Sequence, residues 1–289
     1  MPSSSASLTI QKAIAWATTA FASAKLDSPS TDAEWIVADI LSLDRPALYL
    51  HSETRLSPSQ ICRLKDMIDS RSARVPLQHV LGHTEFFSLP FKCSPDALIP
   101  RPETELLVET TICYSRVFQE PRILDLCTGS GAIAVSLAHS ISNARITATD
   151  ISHRALRLAR RNARLNGVQE RVSFLRAHFL ACFGGDPAFH LIVANPPYIP
   201  TAEIASLQPE VTYDPRLALD GGTDGLAGYR AILLHAPALL MDGGSILMET
   251  GHDQSHRVAE WLAETLSDVK ILEDLSGIER FVTGKKPAR

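Results

Sequence analysis

The chain is poor in the features that would take it outside an ordinary reducing, aqueous compartment. Its five cysteines (Cys62, Cys93, Cys113, Cys127, Cys182) are odd in number, scattered and never spaced as Cys-x-x-Cys. Neither a disulfide framework nor a zinc site is therefore expected, and a cytoplasmic location fits. The histidines show no ligand spacing, so no metal is expected. Apolar runs such as Ala236-Pro237-Ala238-Leu239-Leu240-Met241 fall far short of a membrane span. No arginine precedes Arg45, and no charged segment precedes an apolar one, so a secretory leader is not expected. A basic surplus is also missing. Lys and Arg number 28 against 32 Asp and Glu, a net charge of −4, which argues against strong non-specific nucleic-acid binding. There is no internal repeat and no low-complexity tract. What is present, 289 residues with 45% hydrophobic side chains, suffices for one large domain or two unequal ones.

Up to about residue 75 the pattern is helical, and no strand signal appears. Ile10, Ile14, Ala17 and Phe21 share a helical period. Ser30 or Thr31 is expected to cap a second helix carrying Trp35, Ile36, Ile40 and Leu41 on one face, with Trp35 in the core. Ser57-Pro58-Ser59-Gln60 reads as a further helix start. Residues 76–102 are punctuated by Gly82, Pro90, Pro95, Pro100 and Pro102, which favours a hairpin or extended linker over a helix. After a helix from Glu103 to Ser115, strands are expected at Arg122–Cys127, Arg145–Thr149, Val172–Leu175, His190–Ala194, Ser245–Glu249, Val269–Leu272 and Arg280–Thr283. Helical patterns separate the first five, implying a mostly parallel sheet covered on both faces. The last two strands are joined too tightly for a crossover and should be antiparallel.

The segment Asp125-Leu126-Cys127-Thr128-Gly129-Ser130-Gly131 closes one strand and opens a helix. Gly129 and Gly131 permit a tight turn and close approach of a ligand to the backbone. Asp150 ends the next strand, where a carboxylate accepts hydrogen bonds from a ribose diol. Gly129-x-Gly131-x-x-Ala134 also satisfies the dinucleotide fingerprint. Asp125 separates the two: a carboxylate pointing into the turn repels a pyrophosphate but suits the ammonium group of S-adenosylmethionine.

Downstream, Asn195-Pro196-Pro197-Tyr198 follows the apolar run Leu191-Ile192-Val193-Ala194. A planar NH2 group is a poor nucleophile because its lone pair is delocalised. The Asn195 side-chain oxygen and the Pro196 carbonyl can hold its two N–H bonds and orient the nitrogen toward a methyl donor. Pro196 and Pro197 stiffen the turn, and Tyr198 can stack on a flat acceptor. By itself such a turn also serves simply to end a strand, and it does not choose between adenine and glutamine.

These motifs occur with Pro76-Leu77-Gln78-His79-Val80-Leu81-Gly82, Leu98-Ile99-Pro100-Arg101-Pro102-Glu103-Thr104-Glu105 and Pro209-Glu210-Val211. Also present are Ala218-Leu219-Asp220-Gly221-Gly222-Thr223-Asp224-Gly225-Leu226, Glu249-Thr250-Gly251-His252-Asp253-Gln254 and Leu275-Ser276-Gly277-Ile278-Glu279-Arg280. Over nearly its whole length the chain resembles the HemK/PrmC family of protein-(glutamine-N5) methyltransferases. The resemblance implies a helical release-factor docking domain at 1–75, a β-hairpin linker at 76–102, and a seven-stranded, Rossmann-like α/β methyltransferase domain at 103–289. It implies S-adenosylmethionine as cofactor and the glutamine of a release factor's Gly-Gly-Gln domain as acceptor. A monomer is expected, with no membrane and no sequence-specific nucleic-acid partner.

Carried over by position, Asp125, Cys127, Thr128, Gly129, Ser130 and Gly131 cradle the methionine part. Asp150 takes the ribose, Phe179 flanks the adenine, and Asn195 borders the cofactor as well. Asn195, Pro196, Pro197 and Tyr198 grip the glutamine, with Asn195, Pro196 and Tyr198 as the catalytic set. Cys127 stands where the family commonly has glycine, and its side chain is accommodated if its φ is negative. His178 stands where an Asp is common, and a neutral imidazole can still accept from the adenine amino group. Arg101 with Glu103 or Glu105 either shapes the substrate entrance or forms a solvated linker. The arginines from Arg154 to Arg164 read as a solvated helix face that can also meet a ribosomal or release-factor surface. Two rival readings remain: a DNA adenine-N6 methyltransferase, disfavoured by the acidic balance, and a non-catalytic binding module, disfavoured by the intact Asn-Pro-Pro-Tyr turn.

Overall fold

The computed structural model describes residues 8–288, which pack as two compact units. The expectation of no leader rests partly on residues 1–7, outside the described residues. The first unit comprises residues up to Gly82 together with Gln208–Tyr213; the second comprises His83–Leu207 and Asp214 onward.

In the first unit, α1 (Ile10–Ser23), α2 (Pro29–Leu41), α3 (Arg45–Leu50), α4 (Pro58–Ser72) and α5 (Leu77–Leu81) surround an apolar core including Ile10, Phe21, Ile36, Leu48 and Leu64. Thr9 caps α1, and Ser57 with Gln60 forms a capping box on α4, satisfying backbone N–H groups that a helix start leaves free. Three expectations change here. The α2 helix begins at Pro29, with Ser28 rather than Ser30 or Thr31 at its cap, because proline's fixed φ suits the first helical position. Trp35 is not core: it is 44% exposed, and the Arg45 guanidinium lies 5.4 Å from its ring centre. Residues 77–81, expected as hairpin or linker, are helical. Pro76 precedes the helix and Gly82, at φ 79°, ends it in the left-handed region.

A buried charge cluster closes this unit. Arg71 donates through Nε to Asp32 (2.7 Å) and through Nη1 to Glu210 (3.0 Å), while Arg74 Nη2 donates to the second Glu210 oxygen (2.7 Å). Glu210 lies in the 3-10 turn Pro209–Tyr213, so these contacts fasten residues 208–213 to the helices.

The second unit begins with the hairpin β1 (His83–Phe86) and β2 (Leu89–Lys92), followed by α6 (Thr104–Ser115). The chain continues through β3 (Arg122–Leu126), α7 (Ala132–Ser140), β4 (Arg145–Asp150), α8 (His153–Leu165), β5 (Val172–Arg176) and β6 (Phe189–Ala194). After a 3-10 turn at Thr201–Ser206 come α9 (Arg216–Leu219), α10 (Ala227–Leu233), α11 (Ala236–Leu239), β7 (Leu240–Glu249), α12 (Ser255–Ala263), β8 (Ser267–Glu273) and β9 (Glu279–Lys285). The seven-stranded sheet runs β5-β4-β3-β6-β7-β9-β8. Its first five strands are parallel, and β9 pairs antiparallel with both β7 and β8. Apolar strands such as β3 (Ile123, Leu124, Leu126) and β6 (Leu191, Ile192, Val193) are fully buried, as expected when helices cover both faces. No helix joins β5 to β6, contrary to the sequence pattern; Gly184, Gly185 and Pro187 break that short stretch.

Strand order reverses between β3 and β6, the point at which open α/β sheets bind ligands beyond their carboxyl ends. Leu126 of β3 pairs with Ala194 of β6. The glycine loop and the Asn-Pro-Pro-Tyr turn therefore leave the sheet side by side.

Candidate active site

A cavity of about 490 Å³ opens at this edge, within the range of small-molecule sites. Cys127 and Gly129 of the glycine loop line it with Asp150, Phe179, Asn195 and Pro197. His178 lines it as well and stacks edge-on against Phe179, ring centres 4.8 Å apart. Thr128, Ser130, Gly131, Pro196 and Tyr198 are not on its wall.

Gly131 caps α7 in the left-handed region, at φ 83°, and a Cβ there would come within 3.0 Å of the Ala159 side chain. Only glycine lets α8 pack this closely. Cys127 also adopts a left-handed backbone, with φ 58°. The condition for an unstrained side chain here, a negative φ, is thus not met: the turn keeps the conformation glycine prefers, and the cysteine takes on the strain. Burial, then Asp150, holds its thiol well above the usual range, so it is a neutral wall group rather than a thiolate.

Asp125 differs from expectation. It is fully buried and off the cavity wall, because β3 lies within the sheet interior. Thr128 Oγ1 donates to its Oδ2 (2.5 Å), while Oδ1 makes no hydrogen bond. Burial pushes its pKa up to about 7, against the Thr128 bond and the nearby Ala134 amide. The carboxylate thus shapes the loop from behind. Asp150 is on the wall, where Gly129 N–H donates to Oδ2 (2.9 Å) and Ser152 N–H to Oδ1 (2.8 Å). Burial raises its pKa, and the Ser152 and Gly129 amides oppose that rise. With the Ile151 amide also facing the carboxylate, a lone pair remains for a diol hydroxyl.

On the other side, Tyr198 is gripped by residues to which sequence reasoning gave no role. Gln254 Nε2 donates to the Tyr198 carbonyl (2.9 Å). A Cβ on Gly225 (φ 74°) would overlap that same carbonyl, and one on Gly251 would lie 3.0 Å from the tyrosine ring. The signal lay in the glycines of the Asp-Gly-Gly and Glu-Thr-Gly stretches, whose need for space appears only once the turn is folded against them. Asn195 Nδ2 donates to Thr104 Oγ1 (3.3 Å), and Thr104 Oγ1 donates to Glu249 Oε2 (2.6 Å). Neither Thr104 nor Glu249 was distinguished within its motif.

The linker acids separate. Arg101 pairs with buried Asp214 (2.9 Å). Glu105 accepts the Phe87 N–H (2.7 Å) and so supports the hairpin turn instead of an entrance. Glu103 is exposed.

Residues 12–82 match the PrmC N-terminal domain and residues 102–208 the methyltransferase small domain. The release factor glutamine methyltransferase of Moorella thermoacetica is 42% identical over 276 residues, covering 94% of this chain and 97% of its own length. The enzyme of the same name from Deinococcus radiodurans is 40% identical, covering 93% and 96%. The chain belongs to the release factor glutamine methyltransferase family. Among solved structures, a methyltransferase from Pyrococcus furiosus aligns over 80% of this chain and all of its own, with TM-score 0.50 at 18% identity. The hMettl16 catalytic domain, solved with an RNA hairpin, aligns over 80% and 81% with TM-score 0.56 at 13% identity. At these identities the likeness is one of fold. Family membership makes the chain a methyltransferase using S-adenosylmethionine. The cavity's volume suits that cofactor, and the Asp150 carboxylate on its wall is of the kind that can accept from a ribose diol. Among the described residues no helix is long and apolar enough to cross a membrane.

Proposed function

We propose that this enzyme methylates the side-chain amide nitrogen of the glutamine in the Gly-Gly-Gln motif of peptide-chain release factors. It acts as a cytoplasmic monomer whose helical first unit docks the factor. One observation carries the site assignment: Asn195 and Pro197 line the same cavity as Gly129 and Asp150. Donor loop and acceptor turn thus share one chamber.

The glycine loop from Cys127 to Gly131 holds the methionine part, with Asp125 supporting it through Thr128. Asp150 accepts the ribose hydroxyls, and Phe179 flanks the adenine beside His178. When bound, S-adenosylmethionine supplies an electrophilic methyl group. The chain's own residues do the rest by positioning. Asn195 Oδ1 and the Pro196 carbonyl accept the two N–H bonds of the glutamine, and no hydrogen bond among the described residues occupies that carbonyl. Holding both N–H bonds aligns the nitrogen with the methyl and favours the positive charge that develops on it. Tyr198, fixed by Gln254, closes over the amide plane. The DNA-adenine and non-catalytic readings are not favoured beside relatives that are named glutamine methyltransferases.

Incubation with labelled S-adenosylmethionine and a release factor tests this reading. One methyl group is expected on the Gly-Gly-Gln glutamine, and none after Gln→Ala replacement in the factor. Labelling of DNA with no labelling of the factor would refute it.

A further inference from the structure

Asparagine can present its amide in two orientations related by a flip, and only one puts an acceptor in front of a substrate NH2. We propose that Thr104 and Glu249 are positioning residues that fix the Asn195 amide with its oxygen toward the substrate. This inference rests on the reading of Asn195 as the acceptor for the glutamine N–H.

The hydrogen-bond chain has one direction. Glu249 is only 2% exposed, and Thr104 only 5%. Above pH 7 Glu249 is a carboxylate with no proton to give, so the Thr104 hydroxyl donates its single proton to Glu249 Oε2 at 2.6 Å. The Thr104 oxygen can then only accept, and what it accepts is Asn195 Nδ2–H at 3.3 Å. The Asn195 oxygen is therefore turned away from Thr104. A flipped amide would set oxygen against the Thr104 oxygen and point N–H donors at the substrate's own N–H groups. Both contacts are repulsive. Donation along the chain also polarises the Asn195 carbonyl and makes it a better acceptor.

The lock is anchored at distant points of the chain. Thr104 is the first residue of α6, and Glu249 ends β7. The Glu249 backbone carbonyl accepts the Tyr229 hydroxyl (3.0 Å), and its Oε1 faces the Tyr198 hydroxyl at 3.5 Å. Glu249 also feels Arg280, itself paired with Asp274, the Asn195 amide N–H, which faces it directly, and the Glu103 carboxylate. Burial sets its pKa at about 7, with the Thr104 bond the largest opposing influence. Protonation of Glu249 would release the Thr104 proton and let the Asn195 amide flip.

Two readouts on the full-length protein separate this idea from the functional reading. Thr104→Val keeps the shape and removes the hydroxyl. It is expected to lower kcat on the release factor by about 100-fold while S-adenosylmethionine affinity changes little, and Thr104→Ser should restore most of the loss. Independently of any substrate, the Asn195 side-chain NH2 resonances, assigned with Asn195→Asp, should shift and exchange faster in Thr104→Val but not in Thr104→Ser. Unchanged Asn195 resonances in Thr104→Val would overturn the lock, as would kcat within twofold of the parent. If the parent protein leaves the release factor unmethylated while the resonances behave as expected, the substrate reading fails and the lock stands.

Discussion

Leu126 at the end of β3 lies in register with Ala194 at the end of β6. One step further along each strand, Cys127 and Asn195 both face the cavity. This pairing gives two loops, distant in sequence, a common chamber.

Asp125 should leave a pH signature on stability. Its pKa is raised by burial from an ordinary 3.8 to about 7, so the folded state holds this proton more tightly than the unfolded chain. The resulting stability is fully present below pH 3.8 and is lost as pH rises through about 7. Asp125→Asn keeps an acceptor for Thr128 without the charge. Relative to the parent, the variant should gain stability across that window and then level off, as read by chemical denaturation at several pH values. A difference independent of pH would show that Asp125 is not the strained group.

Cys127 carries backbone strain at φ 58°. Cys127→Gly should stabilise the fold by about 1 kcal/mol through relief of that strain, less some entropy returned to the unfolded chain. Cys127→Ala, which keeps a Cβ, should give no such gain. Equal melting temperatures for the parent and the glycine variant would mean that other contacts offset the strain.

Arg71 neutralises Asp32 and Glu210 in the first unit. Arg71→Met should cost about 3–5 kcal/mol, because it leaves the buried Asp32 carboxylate without its partner while Glu210 keeps only Arg74. Thermal unfolding reads this directly, and a loss under 1 kcal/mol would place the cluster among solvated pairs.

Gly225 makes room for the Tyr198 carbonyl. Gly225→Ala should displace the turn and lower kcat by about 100-fold with little change in cofactor affinity. Activity within twofold of the parent would show that the turn tolerates the shift.

Much of this was legible in the sequence because the chemistry is local. The glycine loop, Asp150 and the Asn-Pro-Pro-Tyr turn each sit in a short motif at a strand end, and hydrophobic period placed the strands. Long-range pairing was hidden. That Thr104 would meet Glu249, or Glu210 would meet Arg71, depends on packing that no local pattern encodes. Trp35 misled because helical spacing shows that residues share a face but not where that face ends. Asp125 misled because a carboxylate beside a turn can point to either side of a buried strand. Cys127 kept a left-handed backbone because the loop's shape outweighed the preference of one side chain.

The proposed roles of the two loops are separated most directly by Asn195→Ala, with methyl transfer to a release factor and S-adenosylmethionine binding measured on the same preparation. The expected result is that kcat falls by about 100-fold or more while the cofactor dissociation constant stays within about threefold. Comparable losses in both would mean that Asn195 mainly serves the cofactor and would contradict its role as the acceptor for the glutamine amide.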